Sequence, residues 1–440
     1  MGISATADRL PPGPRFAALQ AARFARGPVA FLESMRRRYG DVFTVPFPFF
    51  ERLVYLADPE SIKQVFKGDP RVFHAGEGNA GPLGPVVGDR SVFVLDEDEH
   101  MRERKLLLPP FHGEAVRGYR ELMAEIAARE VEHWPVGRPF ALRGRTQPLT
   151  LEVILRAVFG IDDEEALARY RALGAKLGEV SNLVVLLPAL RRDLGRFSPW
   201  GRFLRVRNAL DELIYGEIAR RRADSDAASR DDVLSLLLQA RREDGSPMTD
   251  VELRDELVTT VAAGHETTAT GLAWLFERLL RHPDVEERLR ASLADGDDSY
   301  LDAVVKETLR VRPVVVDVVR GLTQDTEIAE WRLPAGTYVV PAIALVHLRE
   351  DVYDEPHEFR PERFLDGGAG GTYTWIPFGG GVRRCIGAAF AMEEIKVVTR
   401  TILEHARLRA DRPRSEGQRA RHVTLVPSRG GRVVLEERLA

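Results

Sequence analysis

The single cysteine of this 440-residue chain, Cys385, lies in the segment FGGGVRRCIG, after three glycines and two arginines. Cysteine acts as a nucleophile or metal ligand in its thiolate form, which nearby cations, backbone N–H groups and helix N-termini stabilise. Gly379–Gly381 permit backbone conformations and close approaches that side chains would block. The amphipathic segment that starts at the cysteine predicts a helix whose first turn directs N–H groups at the sulfur. Together these features predict that Cys385 is a thiolate ligand to a redox-active metal.

The loop has two other interpretations. A free cysteine is commonly a small buried hydrophobic residue. A glycine-rich loop can also bind phosphate, although no Gly-Lys-Ser/Thr follows these glycines. The full spacing is more specific, because it matches the signature Phe-x-x-Gly-x-Arg-x-Cys-x-Gly. The matching residues are Phe378, Gly381, Arg383, Cys385 and Gly387. This loop resembles the haem-binding loop of the cytochrome P450 family, which implies heme b (iron protoporphyrin IX) bound through Cys385 and contacted by the rest of the loop, including Gly379.

A long helix is predicted from about Thr249 to His282. Thr249 and Glu252 have the spacing of a capping box, and Pro283 follows the end of the run. About 32 residues at about 1.5 Å each would span about 48 Å, enough to cross a domain. The centre of the helix, VTTVAAGHETTATG, is polar and contains glycine where a buried helix should be apolar, which often marks a functional position.

The segment HETT could be part of the zinc-binding pattern His-Glu-x-x-His, but position 269 is alanine, so the second histidine is missing. The longer segment AGHETT resembles the oxygen-activating segment of haem-thiolate enzymes. The resemblance implies that Ala263 and Gly264 contact the macrocycle, with Gly264 leaving space for O2. Thr267 is expected to hydrogen-bond a carbonyl one turn back, opening the helix locally and holding water near the iron. Glu266 is expected to exchange protons with solvent; an incidental polar patch is the alternative for the whole segment.

Haem carries two propionates, which need cationic or hydrogen-bonding partners. His100 and Arg104 are four residues apart and share a helical face, and they match the family at that place. Arg320 and Arg383 also match positions whose counterparts contact propionates. For His100 and Arg320, a solvated surface position remains an alternative.

The segment ETLR places Glu307 and Arg310 on one helical face. The bare pattern Glu-x-x-Arg is weak, since it recurs elsewhere in the chain, but only this copy is followed by VRP and later by PERF. The resemblance implies that Glu307, Arg310 and Arg363 form a buried charge network with a structural role, because buried ions need partners.

The substrate pocket is expected to be apolar, which suits a lipophilic molecule such as a fatty acid, terpenoid, steroid or macrocyclic natural product. The candidate lining residues are Val92, Val261, Ala262, Val315, Val316 and Val423. Asp317 is the polar exception, and we interpret it as accepting a hydrogen bond from a neighbouring backbone N–H, with a polar group of the substrate as the alternative. The apolar stretch 183–190 is expected to form a lid over the pocket, with contact to a membrane surface as the alternative.

Helical patterns dominate the chain, with strand-like segments near its two ends, so the fold class is mainly α with small β-sheets (α+β). The resemblance covers nearly the whole chain and implies one P450 haem domain over 1–440, a large triangular prism. Its β-rich lobe is expected at about 40–60 plus 320–345, and its helical lobe at about 95–310 and 385–407.

A formal net charge of -4 gives no general attraction to nucleic acid. One cysteine excludes an intramolecular disulfide and multi-cysteine metal sites. Neither a signal-peptide core nor an apolar run long enough for a membrane anchor is present, which predicts a cytoplasmic protein.

The resemblance implies a haem-thiolate monooxygenase that uses O2. No flavin or iron–sulfur module is evident, so the electrons are expected from a separate ferredoxin and ferredoxin reductase, docking near Cys385, where Arg102 and Arg384 could meet an acidic partner. A P450-type isomerase or lyase and a non-enzymatic haem protein are the alternatives. Retention of the acid–threonine pair, Glu266 and Thr267, favours the monooxygenase.

Overall fold

The computed structural model describes residues 10–48, 50–178, 191–195, 198–226, 229–365 and 370–439. The predicted lid at 183–190 lies outside the described residues. The α-helices are α1 Ala17–Arg26, α2 Pro28–Tyr39, α3 Pro59–Lys67, α4 Gly76–Val87, α5 Glu97–Leu107, α6 Gly113–Gly118, α7 Arg120–Glu132, α8 Arg143–Phe159, α9 Glu164–Gly178, α10 Pro199–Ala223, α11 Val233–Gln239, α12 Asp250–Leu279, α13 Pro283–Ala294, α14 Ser299–Val311, α15 Ile343–His347 and α16 Ala388–His405.

The strands are short and form small sheets. They are β1 Val42–Phe47, β2 Phe50–Leu56, β3 Phe73–His74, β4 Pro139–Ala141, β5 Arg320–Leu322, β6 Thr326–Ile328, β7 Trp331–Leu333, β8 Tyr338–Pro341, β9 Ala406–Ala410, β10 Gln418–Arg421, β11 Thr424–Pro427 and β12 Arg432–Arg438. The largest sheet has the order β1-β2-β8-β5-β3, in which only β2 and β8 are parallel. It joins segments from both ends of the chain, as the mainly helical fold class with small sheets predicts.

The long helix α12 forms as predicted at its start. Thr249 Oγ1 accepts a hydrogen bond from the N–H of Glu252, whose carboxylate accepts one from the N–H of Thr249 over 2.8 Å. This capping box satisfies N–H groups that have no partner within the helix. The helix ends at Leu279, and Pro283 begins α13.

Glycines let the neighbouring helices approach α12 closely. A Cβ on Gly264 would lie 2.9 Å from Ile154 Cδ1 of α8, and a Cβ on Gly271 would lie 3.2 Å from Ile395 Cδ1 of α16. Around these contacts is the largest apolar core, built from α7, α8, α12, α14 and α16. α12 therefore crosses the middle of the helical part, where its central residues can face a site.

Candidate functional site

The loop that carries Cys385 owes its shape to glycine and to one backbone hydrogen bond. Gly379 and Gly381 have φ values of 68° and 64°, in the left-handed region that side chains disfavour. A Cβ on Gly381 would also lie 1.9 Å from the carbonyl oxygen of Phe66, so only glycine lets the loop pass this close to α3. The N–H of Cys385 donates to the carbonyl oxygen of Phe378 over 2.9 Å, which closes the loop.

The thiol of Cys385 retains accessible surface, yet the surrounding protein desolvates it and raises its pKa. A backbone hydrogen bond from Gly387 and the charges of Arg104 and Arg384 lower the pKa, but by less than burial raises it. α16 begins at Ala388, three residues later than the sequence pattern predicts. The protein alone therefore favours the protonated thiol, and a metal cation would reverse this balance, because a coordinating thiol loses its proton.

Four basic side chains, which come from distant parts of the sequence, lie close enough for the charge of one to affect the pKa of another. His100 is buried, and its pKa is lowered to about 3 by burial and by the charges of Arg383, Arg104 and Arg320. Burial and the charge of Arg383 also lower the pKa of Arg320 to about 10. Asp96 forms an ion pair with Arg383. The cluster thus holds three guanidinium groups, a neutral imidazole and one carboxylate, and it contains the four residues predicted to bind propionates.

Asp96 was not identified from the sequence, although it fixes the position of Arg383. The Arg383 guanidinium donates to Asp96 and to the carbonyl oxygens of Leu95 and Val92, the last over 3.0 Å. Asp96 also accepts a hydrogen bond of 2.9 Å from the N–H of Ala75, just before α4. The only sequence signal was an acidic residue directly before α5, a common helix N-cap position.

The middle of α12 keeps accessible surface, although both neighbouring stretches are buried. Residues 253–259 and 268–279 are buried, whereas 260–267 are exposed or partly exposed. Thr267 Oγ1 donates to the carbonyl oxygen of Ala263 over 2.6 Å, as the sequence predicts. The α-helix is nevertheless continuous here, so the expected local opening is not found. Gly264 packs against Ile154, which gives this glycine a packing role; its predicted role in leaving space for O2 stays a prediction.

Glu266 lies among cations that are remote from it in the sequence. Its Oε1 is 2.9 Å from Arg143 Nη2 on α8 and 3.5 Å from Arg421 Nε, and its Oε2 is 3.5 Å from His422 Nδ1. Burial alone would raise the pKa of Glu266, but these three groups together lower it. Glu266 is therefore a carboxylate at neutral pH.

The predicted charge network of Glu307, Arg310 and Arg363 is formed. Arg310 makes two hydrogen bonds to the Glu307 carboxylate, of 2.7 and 2.8 Å, and Arg363 Nε makes a third, of 3.0 Å. Arg310 also donates to the carbonyl oxygens of His347 and Pro356. The network connects α14 to the chain segment that leads toward the Cys385 loop.

The candidate pocket residues differ in their surroundings. Val92 and Val316 are buried in apolar core clusters, whereas Val261, Ala262, Val315 and Val423 keep accessible surface. Their common membership of a substrate pocket stays a prediction.

Asp317 has a different partner from the one predicted. The Tyr55 hydroxyl, not a backbone N–H, lies 3.2 Å from its Oδ2, and burial raises the pKa of Asp317 to about 6.

Within the described part of the chain, no group of three or more histidine, cysteine, aspartate or glutamate side chains could together hold a metal ion. Within the same residues, every helix is too short or too polar to span a bilayer.

Comparisons with known proteins agree with this geometry. A profile of the family described as "Cytochrome P450" matches residues 9–430. The chain is 46% identical over 434 residues to cytochrome P450 135B1 of Mycobacterium tuberculosis, covering 96% of this chain and 91% of the relative. It is 42% identical over 437 residues to cytochrome P450 135A1 of the same species, covering 98% and 96%.

Two solved structures share the fold. The cyanobacterial CYP120A1, solved with bound retinoic acid, superposes with a TM-score of 0.85 at 23% identity, covering 98% of this chain and 100% of that one. The haem domain of cytochrome P450DA gives a TM-score of 0.85 at 22% identity, covering 98% of each chain. Sequence, fold and the arrangement around Cys385 lead to one conclusion: the chain belongs to the cytochrome P450 family.

Proposed function

We propose that this chain is a heme b-dependent monooxygenase that inserts one oxygen atom of O2 into a lipophilic substrate. The substrate classes that fit are fatty acids, terpenoids, steroids and macrocyclic natural products. The observation that carries the proposal is the cationic cluster whose Arg104 also acts on the accessible Cys385 thiol, together with the Thr267–Ala263 hydrogen bond in the accessible middle of α12.

The residues fit a haem. Cys385 offers a desolvated sulfur that coordination to iron would convert into a thiolate. Arg104, Arg320 and Arg383 bring three positive charges against one carboxylate, and two propionates would balance this excess. His100, neutral because of burial, would contribute an N–H donor rather than a charge.

The haem would supply the reductive activation of O2, favoured by the thiolate ligand. The Thr267 hydroxyl donates its hydrogen bond to the carbonyl oxygen of Ala263, so the lone pairs of its Oγ1 remain free to accept one. Thr267 therefore holds a water or another donor in position rather than giving up its own proton. Glu266, next in the chain, would pass protons toward that donor.

Electrons would come from a separate ferredoxin and ferredoxin reductase in the cytoplasm. Arg102 and Arg384 are exposed, and the charge of Arg384 acts on the neighbouring Cys385 thiol, so the two arginines offer cations to an acidic partner. The alternatives are a P450-type isomerase or lyase and a non-enzymatic haem protein. Neither requires the pair Glu266 and Thr267.

Replacement of Thr267 by Ala tests the proposal, with Thr267→Ser as the matched control. Thr267→Ala is expected to divert electrons to hydrogen peroxide and to lower product per electron by roughly tenfold, because proton delivery is worth at least this much. Substrate binding, followed by the haem spectrum, should change little, and the serine variant should stay close to the wild type. Unchanged product per electron would contradict the role of Thr267. Substrate conversion by the wild type without O2 uptake would indicate the isomerase or lyase instead.

A further inference from the structure

The turn between β10 and β11 places a titratable side chain against the acid of α12. Arg421 pairs with Thr424, so His422 and Val423 form a two-residue turn. His422 Nδ1 lies 3.5 Å from Glu266 Oε2, close enough for an ion pair, and a small rotation of either side chain would bring the two atoms to hydrogen-bonding distance.

We propose that His422 is a proton-relay residue that carries protons from solvent to Glu266; the inference rests on the monooxygenase function proposed above. It assigns a role to the β10–β11 turn that neither the loop signature nor the AGHETT segment suggests.

Of the cations that the described residues place around Glu266, His422 is the one with an imidazole side chain. Arg143 and Arg421 remain protonated in proteins, so they neutralise Glu266 without supplying protons. His265, the neighbour of Glu266 on α12, uses Nδ1 in a 2.8 Å contact with the carbonyl oxygen of Val261, and burial lowers its pKa, which keeps it neutral. An imidazole changes charge between about pH 5 and 8, as a relay requires.

The exposure of the side chains gives the relay a direction. The His422 side chain is 34% exposed and that of Glu266 18%, so accessibility falls from the turn toward α12. His422 exchanges protons with bulk water, whereas Glu266 receives them through a protein neighbour.

The backbone at His422 supports a role for its side chain. Its φ is 52°, a left-handed conformation that glycine adopts more easily. A residue other than glycine is strained in this conformation, and such strain is concentrated at functional sites. The turn therefore holds an imidazole beside Glu266 where a glycine would be less strained.

The proton transfer balances without a further reactant. The Nδ1–H bond of the imidazolium breaks and an O–H bond forms on Glu266 Oε2, which leaves a neutral imidazole and a neutral carboxylic acid. Glu266 then gives its proton to a water held by Thr267, this water releases one of its own protons to the reduced O2, and Glu266 returns to the carboxylate that Arg143 stabilises. His422 regains a proton from bulk water, so each cycle moves one proton inward.

The test replaces His422 by Gln in the haem-loaded full chain, and the control replaces exposed Arg419, on the strand β10 that precedes the turn, by Gln. His422→Gln is expected to lower O2-dependent turnover by about tenfold. Turnover driven by hydrogen peroxide should change little, because this route needs no proton delivery for O2 reduction. Unchanged O2-dependent turnover in His422→Gln would overturn the relay.

A second measurement does not depend on turnover. The infrared band of the protonated Glu266 carboxyl, identified by its loss in Glu266→Gln, should appear at higher pH in His422→Gln than in the wild type, because the charge of His422 lowers the pKa of Glu266. An unshifted band would show that His422 does not act on Glu266 and would overturn the proposal. Failure of the proposed function has a different signature: the wild type itself would form no oxygenated product with O2 or with peroxide.

Discussion

Glu307 and Arg310 form a bidentate ion pair in which neither side chain retains any solvent-accessible surface. The remaining acceptors and donors are also used, because the backbone N–H of Arg360 donates to Glu307 over 2.8 Å and Arg310 donates to the carbonyl oxygen of Pro356 over 2.7 Å. A buried ion pair whose hydrogen-bonding groups are all satisfied holds chain segments together. Removal of either partner leaves the charge of the other buried without a counter-ion.

Replacement of Glu307 by Gln should destabilise the protein strongly. The change leaves the Arg310 charge buried without its counter-ion, which costs about 3–5 kcal/mol. The free energy of unfolding from urea denaturation checks this. The matched control is Glu165→Gln at the exposed pair with Arg169 on α9, where a change within about 1 kcal/mol is expected. Equal effects of the two substitutions would show that the buried network has no special structural role.

Replacement of Arg320 by Gln should weaken haem binding. The substitution removes one buried cation from the cluster with His100, Arg104 and Arg383, and a hydrogen bond to a charged group is worth about 1.5–3 kcal/mol. Haem should therefore pass to excess apomyoglobin at least about tenfold faster than from the wild type. Arg332→Gln, at an exposed pair with Asp325, is the control. If both variants lose haem at the wild-type rate, Arg320 does not hold a propionate.

Asp317 should make stability depend on pH. Burial raises its pKa from 3.8 to about 6, so between these values the folded chain binds more protons than the unfolded chain. The free energy of unfolding must therefore fall as the pH rises through this range, and the shift corresponds to roughly 3 kcal/mol.

Asp317→Asn cannot ionise and still offers an oxygen to the Tyr55 hydroxyl. Relative to the wild type, its free energy of unfolding should rise by up to roughly 3 kcal/mol near about pH 8 and by little near about pH 4. Urea denaturation at the two pH values measures the difference. An equal effect of the substitution at both values would mean that Asp317 titrates normally in the folded chain.

The features predicted correctly from the sequence are mostly local in the chain. The capping box of Thr249 and Glu252, the Thr267 hydrogen bond and the Glu307–Arg310 pair all depend on spacings of three or four residues, which a helix converts directly into contacts. The family resemblance supplied the fold and the grouping of Arg104, Arg320 and Arg383 with His100.

The partners that were missed or misassigned come from remote segments. Asp96 reaches Arg383, His422 reaches Glu266, and Tyr55 reaches Asp317 only after the chain folds. Desolvation is also invisible in a sequence, which is why the loop suggested a stabilised thiolate at Cys385 although burial raises the pKa of the free thiol.

The absorption spectrum of the reduced, carbon monoxide-bound, haem-loaded protein tests most directly whether Cys385 is the iron ligand. We expect the wild type to show the long-wavelength Soret band that thiolate ligation produces, and Cys385→His, in which an imidazole replaces the sulfur, to lose it. Persistence of that band in Cys385→His, or its absence from well-folded, haem-loaded wild type, would contradict thiolate ligation by Cys385.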